Sequence, residues 1–207
     1  MRRTTNEPHG ILVPSSVGKR KVRRVRKCGN LDVAGDDDNI LIVDSACDQS
    51  MIHASACKVL SLTNEFFHVD GAMGGMHSVK PLQVANVAVL IVNPYNNEKF
   101  VAVLNQSLLI TDENHREGLL QPNQARAFGT AIDDCSRQHL GVDGKPGTQS
   151  MKVPGHTIGL LHDGWKAYLY IERPTDDDMD KYPVIELTSP MKYEPHKRYQ
   201  TRRVKSF

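Results

Sequence analysis

At 207 residues, with a formal net charge of +2 and 39% hydrophobic residues, the chain has room for one domain of ordinary size plus tails. No apolar run approaches the length that crosses a bilayer, and Met1-Arg2-Arg3-Thr4-Thr5 leads into no apolar stretch of a secretory signal. A cytoplasmic or nuclear protein, not secreted and without a membrane partner, is expected. The cysteines Cys28, Cys47, Cys57 and Cys135 form no Cys-x-x-Cys pair and read as free thiols.

Charge is polarised along the chain. Residues 1–30 carry +8 and residues 192–207 carry +5, which leaves −11 for residues 31–191. Residues 1–38 read as a basic flexible leader around Lys19, Arg20, Lys21, Arg23, Arg24, Arg26 and Lys27, and residues 192–207 as a basic tail. Two readings are open for these ends. Like-charge runs with few large apolar residues are usually solvated and disordered. The same lysines and arginines also suit nonspecific contact with nucleic-acid phosphates, without the aromatic residues of a base-stacking platform.

The body opens with a strand at Asn39–Val43, apolar and too short for a buried helix, which ends at Asp44. A second short strand is expected at Gln49–Ile52. A glycine-rich stretch, Asp70-Gly71-Ala72-Met73-Gly74-Gly75, follows. The β-branched run Leu82–Val92, the turn residues Asn93-Pro94-Tyr95-Asn96-Asn97 and the run Phe100–Leu104 predict a hairpin, with a further apolar stretch at Ser107–Ile110. Gln121–Ala127 is the helix candidate, with Pro122 near its start, and a small strand is expected at Thr130–Ile132. Glycines at 141–147 break the chain. Trp165–Ile171 and Val184–Leu187 read as the last strands. The pattern predicts a mainly β fold with one short helix, divided into a domain over 39–140 and a linker or β extension over 141–191.

The chemistry centres on Ile40-Leu41-Ile42-Val43-Asp44-Ser45-Ala46. An apolar strand delivers a carboxylate and a hydroxyl to a tight turn, a pattern that also occurs as a plain strand-ending turn. It resembles the active-site strand of aspartic proteases, in which a hydrophobic run precedes Asp-Thr/Ser-Gly. Leu119-Leu120-Gln121-Pro122-Asn123-Gln124-Ala125 followed by Gly129 is similar to the Leu-Leu-Ser-x-x-Gln-Leu and glycine of copia-type retrotransposon proteases. The tracts 141–151, 173–178 and 183–189 look like those of copia-like polyproteins, in the same order, so the resemblance covers roughly Asn39 to Pro195.

That resemblance implies a single-lobe retropepsin-like fold, flanked by disordered tails, and a homodimeric aspartic endopeptidase acting on peptide bonds of its own Gag-Pol polyprotein. One Asp-Ser turn per chain implies that Asp44 from each protomer meets its twin on a twofold axis. Two carboxylates so placed share a proton, one activating water and the other polarising the scissile carbonyl. Ser45 would hydrogen-bond across the interface, and Asp70, Gly71, Ala72, Gly74 and Gly75 would form the flap over the peptide. No metal and no organic cofactor are implied. The chain departs from the family pattern at Ala46, where glycine is usual, and at Gln121, where serine or glycine is usual. An inactive transposon remnant and a basic-tailed nucleic-acid-binding module stand as alternatives. His53 and Cys57 have the spacing of a metal pair on a helix, but no second pair follows.

Overall fold

The computed structural model describes residues 39–69, 81–111, 117–141, 143–164 and 166–195. The basic leader, the stretch Asp70–Gly75, most of the C-terminal tail and Trp165 lie outside the described residues. Among the described residues no helix is long and apolar enough to cross a membrane.

Among the described residues, twelve strands and two short helices follow in order. They are β1 (Ile40–Val43), β2 (Met51–His53), β3 (Lys58–Phe67), β4 (Leu82–Val92), β5 (Lys99–Ile110) and β6 (Gly118–Leu120). Then come α1 (Pro122–Phe128), β7 (Ala131–Asp133), β8 (Ser150–Val153), β9 (His156–Gly159), β10 (Leu161–His162), β11 (Ala167–Glu172), α2 (Asp176–Lys181) and β12 (Val184–Glu186). A 3-10 turn over Ala54–Ala56 separates β2 from β3.

The mainly β expectation holds, and its principal element is a closed six-stranded barrel. Pairing runs β1–β6–β2–β5–β4–β11 and back to β1. Closure removes the open edges that an isolated sheet would leave. Inside it pack Leu41, Ile52, Val87, Ile91, Phe100, Leu104, Leu120, Leu169 and Ile171, all at most 2% exposed. Each such side chain contributes about 1.5–3 kcal/mol of transfer free energy, so β-branched and aliphatic runs at these positions drive the fold.

Strand β11 belongs to this barrel although it comes from the segment set apart as an extension. It pairs antiparallel with β1, Leu41 opposite Leu169, and with β4, Ile91 opposite Ile171. Strand β12 lies parallel to β5 outside the closed path. The Ser107–Ile110 run is no separate element, because β5 continues through it.

The single-helix expectation is corrected by α2. Thr175 accepts from the Asp178 N–H, and Asp178 accepts from the Thr175 N–H and hydroxyl, a reciprocal cap at the start of the acidic run. Beside it, Met179 and Tyr182 cover Ala88, Leu90 and Val101 on the outer face of the barrel.

A three-stranded sheet, β7–β8–β9, docks on the turn between β4 and β5. Asn93 donates to the Thr157 carbonyl at 3.0 Å and accepts from the Gly159 N–H at 3.0 Å. The Tyr95 hydroxyl donates towards the carbonyls of Thr148 (3.1 Å) and Gln149 (2.7 Å), with the Arg137 guanidinium 4.3 Å from the ring centroid. The ring lies so close to Gly159 that a Cβ there would stand 2.3 Å from it, which is why that position is glycine.

Strand β3 is an edge of the main sheet and went unpredicted. It exposes Val59, Leu60, Leu62, Phe66 and Phe67, and its register against β4 shifts twice, so the run shows no alternation.

Candidate active site

Asp44 stands where β1 leaves the barrel. β1 runs parallel to β6, and the Asp44 N–H continues that ladder by donating to the Leu120 carbonyl at 3.0 Å. β6 in turn contacts β2 at Met51–Leu119. The loop 44–50 therefore emerges beside β6 and re-enters the barrel at β2. Asp44 is half-buried, while Ser45 and Ala46 are exposed.

The Asp44 Oδ1 accepts the Ala46 N–H at 2.8 Å, closing the turn on itself. Among the described residues the second carboxylate oxygen and the Ser45 hydroxyl carry no hydrogen bond. Ala46 does not have a positive φ, so alanine at this turn carries no left-handed strain within the protomer. The Cys47 thiol donates to the Asp44 carbonyl at 3.0 Å. Burial first, and the neighbouring Asp44 carboxylate second, push this thiol up to about 12. It is a protonated, poorly nucleophilic group at neutral pH.

The other departure, Gln121, has a defined place. It is the N-cap of α1, its Oε1 accepting the Asn123 N–H at 2.6 Å, while its Nε2 donates to the Cys47 carbonyl. The Gln121 N–H donates to the Ser50 hydroxyl at 3.0 Å. Gly129 ends the helix with φ 112°, a left-handed conformation that favours glycine. The start of α1 is thereby fixed to the middle of the Asp44 loop at Cys47 and to its far end at Ser50.

Gln124 completes the support, a role that its place in the Leu119–Ala125 motif did not reveal. It is 1% exposed, accepts the Ser50 N–H at 3.0 Å and donates to the carbonyls of Asn105 and Gln106, each at 3.2 Å. Asn105 and Thr188 exchange two further bonds of 2.8 Å in the same layer. Buried amides saturated in this way hold one arrangement, since any alternative leaves polar groups unpaired.

The strands that flank the glycine-rich stretch belong to the described residues, and Asp70, Gly71, Ala72, Gly74 and Gly75 do not. β3 and β4 pair out to Phe67–Leu82, so the connection 68–81 leaves from their ends. Strand β5 stands between that end and the Asp44 loop: the Ser50 carbonyl accepts from the Leu108 N–H at 2.8 Å on one side of β5, and Leu108 pairs with Val84 of β4 on the other.

No protein-family model, curated protein or solved structure matches the chain.

The remaining sequence candidates do not join Asp44. The residues after His53 form a 3-10 turn instead of the helix that a His53–Cys57 metal pair needs, and His53 Nδ1 lies 2.6 Å from the Ser55 hydroxyl. Cys57 is buried in the barrel core, and burial pushes its thiol up to about 11. A shallow depression lined by Lys58, Arg173, Pro174, Thr175 and Asp176 lies at the start of α2, where Lys58 already pairs with Asp176. The basic cluster Lys19, Arg20, Lys21, Arg23, Arg24, Arg26 and Lys27 falls outside the described residues.

Proposed function

We propose that the chain is a homodimeric aspartic endopeptidase of retroelement type, in which Asp44 of two protomers activates a water for attack on a peptide bond. The observation that supports this reading most is the position of Asp44. It sits at the end of β1 in a closed barrel, on a turn bonded to β6 and braced by α1.

The chemistry follows from pairing two such turns. The Asp44 oxygen not used within its own turn faces the partner, and the two carboxylates share one proton. The ionised carboxylate takes a proton from the water while the protonated one donates to the scissile carbonyl oxygen, forming a tetrahedral diol. Exposed Ser45 is free to bond across the interface. The substrate is an extended segment of polyprotein held by main-chain pairing, with apolar side chains favoured. Ala46 fits this scheme in the protomer, being exposed and unstrained, and Gln121 serves it by holding the Cys47 carbonyl.

The direct test is cleavage of a peptide library at mildly acidic pH by wild type and Asp44→Asn. The expected result is a loss of roughly 100- to 10,000-fold in the variant, and inhibition of wild type by a pepstatin-like peptide. Equal cleavage by both proteins would remove the reading.

A further inference from the structure

Among the described residues β3 pairs with β4 alone, so the backbone groups on its other side meet no described strand. Its side chains are as uncovered as its edge. Leu60, Leu62 and Phe66 are 43%, 55% and 57% exposed, and Val59 and Phe67 are exposed as well. Natural edge strands are guarded by shortness, by proline or by outward charges. β3 is ten residues long and has no proline. Its two charged side chains are tied up within the chain, Lys58 with Asp176 and Glu65 with Lys192. Two register shifts against β4 are the guard that remains.

The two ends of this strand carry opposite charge. Lys58 leads to α2, whose residues 176–181 hold four aspartates against one lysine, Asp177 among them being exposed. Glu65 lies roughly 20 Å further along the strand. It meets Lys192 at 2.8 Å, and there begins the run 192–207, which carries +5. When two copies of β3 pair antiparallel about a twofold axis near Leu62–Thr63, the Lys58 end of each lies beside the Glu65 end of the other. The basic run of one copy then starts beside the acidic α2 of its partner, twice over by symmetry. A neutral apolar peptide would satisfy the edge and leave these charges unmatched.

We propose that β3 is an association surface on which two copies of this chain pair, antiparallel and strand to strand. The added ladder takes up the unpaired backbone groups, the apolar side chains cover one another, and the opposite charges at the two ends fix the direction. The contact is separate from the Asp44 turn, because the loop 44–50 re-enters at β2, and β5 and β4 stand between β2 and β3. It does not rest on the protease reading. Alone it makes a dimer. Combined with a twofold contact at Asp44, it closes a tetramer or runs on as an open chain.

The test is sedimentation velocity of the full chain over a range of concentrations, comparing wild type, the double variant Leu62→Lys with Phe66→Lys, and Asp177→Lys. The double variant should lose one doubling of mass, its Kd for that step raised at least about tenfold. Asp177→Lys should weaken the same step several-fold at low salt and by less at high salt. Hydrogen exchange at Lys58–Phe67 should slow with rising concentration in wild type and not in the double variant. Exposed Asp177→Lys keeps the test decisive should the double variant not fold. A wild type that stays monomeric, or an association that the lysines leave untouched, overturns the proposal. An association indifferent to both salt and Asp177→Lys overturns the antiparallel arrangement. If the lysines turn a wild-type dimer into monomers, the β3 contact holds and the Asp44 dimer fails. If they turn a tetramer into a dimer that still cleaves peptides, both hold.

Discussion

Replacing Gln124 by Met tests whether the Asp44 loop is held by the helix behind it. The two side chains are similar in volume, so the change removes polar atoms without opening a large cavity. Of the three bonds lost, two are backed up: the Asn105 carbonyl still receives the Thr188 hydroxyl, and the Gln106 carbonyl still receives Gln49. The Ser50 N–H has no such substitute in the structure, and Ser50 is fully buried. An orphaned buried donor costs about 1–3 kcal/mol, and weakening the two longer bonds adds about 1 kcal/mol, for a total of about 2–4 kcal/mol. Urea unfolding measures it as a fall in midpoint at unchanged slope, about 1–2 M for a protein of this size. A loss below about 0.5 kcal/mol would mean that the Ser50 N–H does not depend on Gln124, and the account of the loop's support would be wrong.

Gly159→Ala places a methyl group against the Tyr95 ring and should cost about 1–3 kcal/mol in thermal or urea unfolding; a neutral result would show that the turn and the small sheet do not meet as described. Asp133 gives a pH signature. Burial pushes its carboxyl up, but bonds from the Thr148 N–H and hydroxyl and the Cys135 N–H, with Lys152 nearby, outweigh this and hold it below its usual value. A carboxyl depressed in the folded state stabilises fully above its unfolded value near pH ~4, and that contribution fades as pH falls through the folded pKa. The stability gap between wild type and Asp133→Asn should therefore be flat at neutral pH and shrink below about pH 4; a gap unchanged down to pH ~2 would refute the assignment. Cys47, pushed up to about 12, should alkylate with iodoacetamide at neutral pH at least roughly 100-fold more slowly than in the unfolded chain, read by mass spectrometry. Equal rates would contradict its protonated, bonded state.

What the sequence made legible follows from local pattern. Ile40–Val43 is a continuous apolar run and Leu82–Val92 a mostly apolar one rich in valine, as strands buried in a barrel require, and Pro122 with Gly129 marks both ends of α1. Asp44 was found because it follows such a run directly. Strand β3 was hidden because an edge strand with two register shifts has no alternation to read. Helix α2 did carry a signal, Thr175 three residues before Asp178, but its acidic run reads equally as a solvated turn. Membership of β11 in the barrel was out of reach, since its partner Leu41 lies more than a hundred residues earlier. A separation of 74 residues from their partners likewise hid what Gln121 and Gln124 do. Gln124 stood at the glutamine of the copia-like motif and Gln121 at a departure from it, but only the fold shows that both hold the Asp44 loop.

The central claim is that two copies of Asp44 act as one group, and subunit mixing measures it. Wild-type protein is titrated with Asp44→Asn at constant total concentration, above the dimer dissociation constant, and peptide cleavage is followed. If each active centre needs both carboxylates, activity falls as the square of the wild-type fraction. A linear fall would show that each protomer works alone.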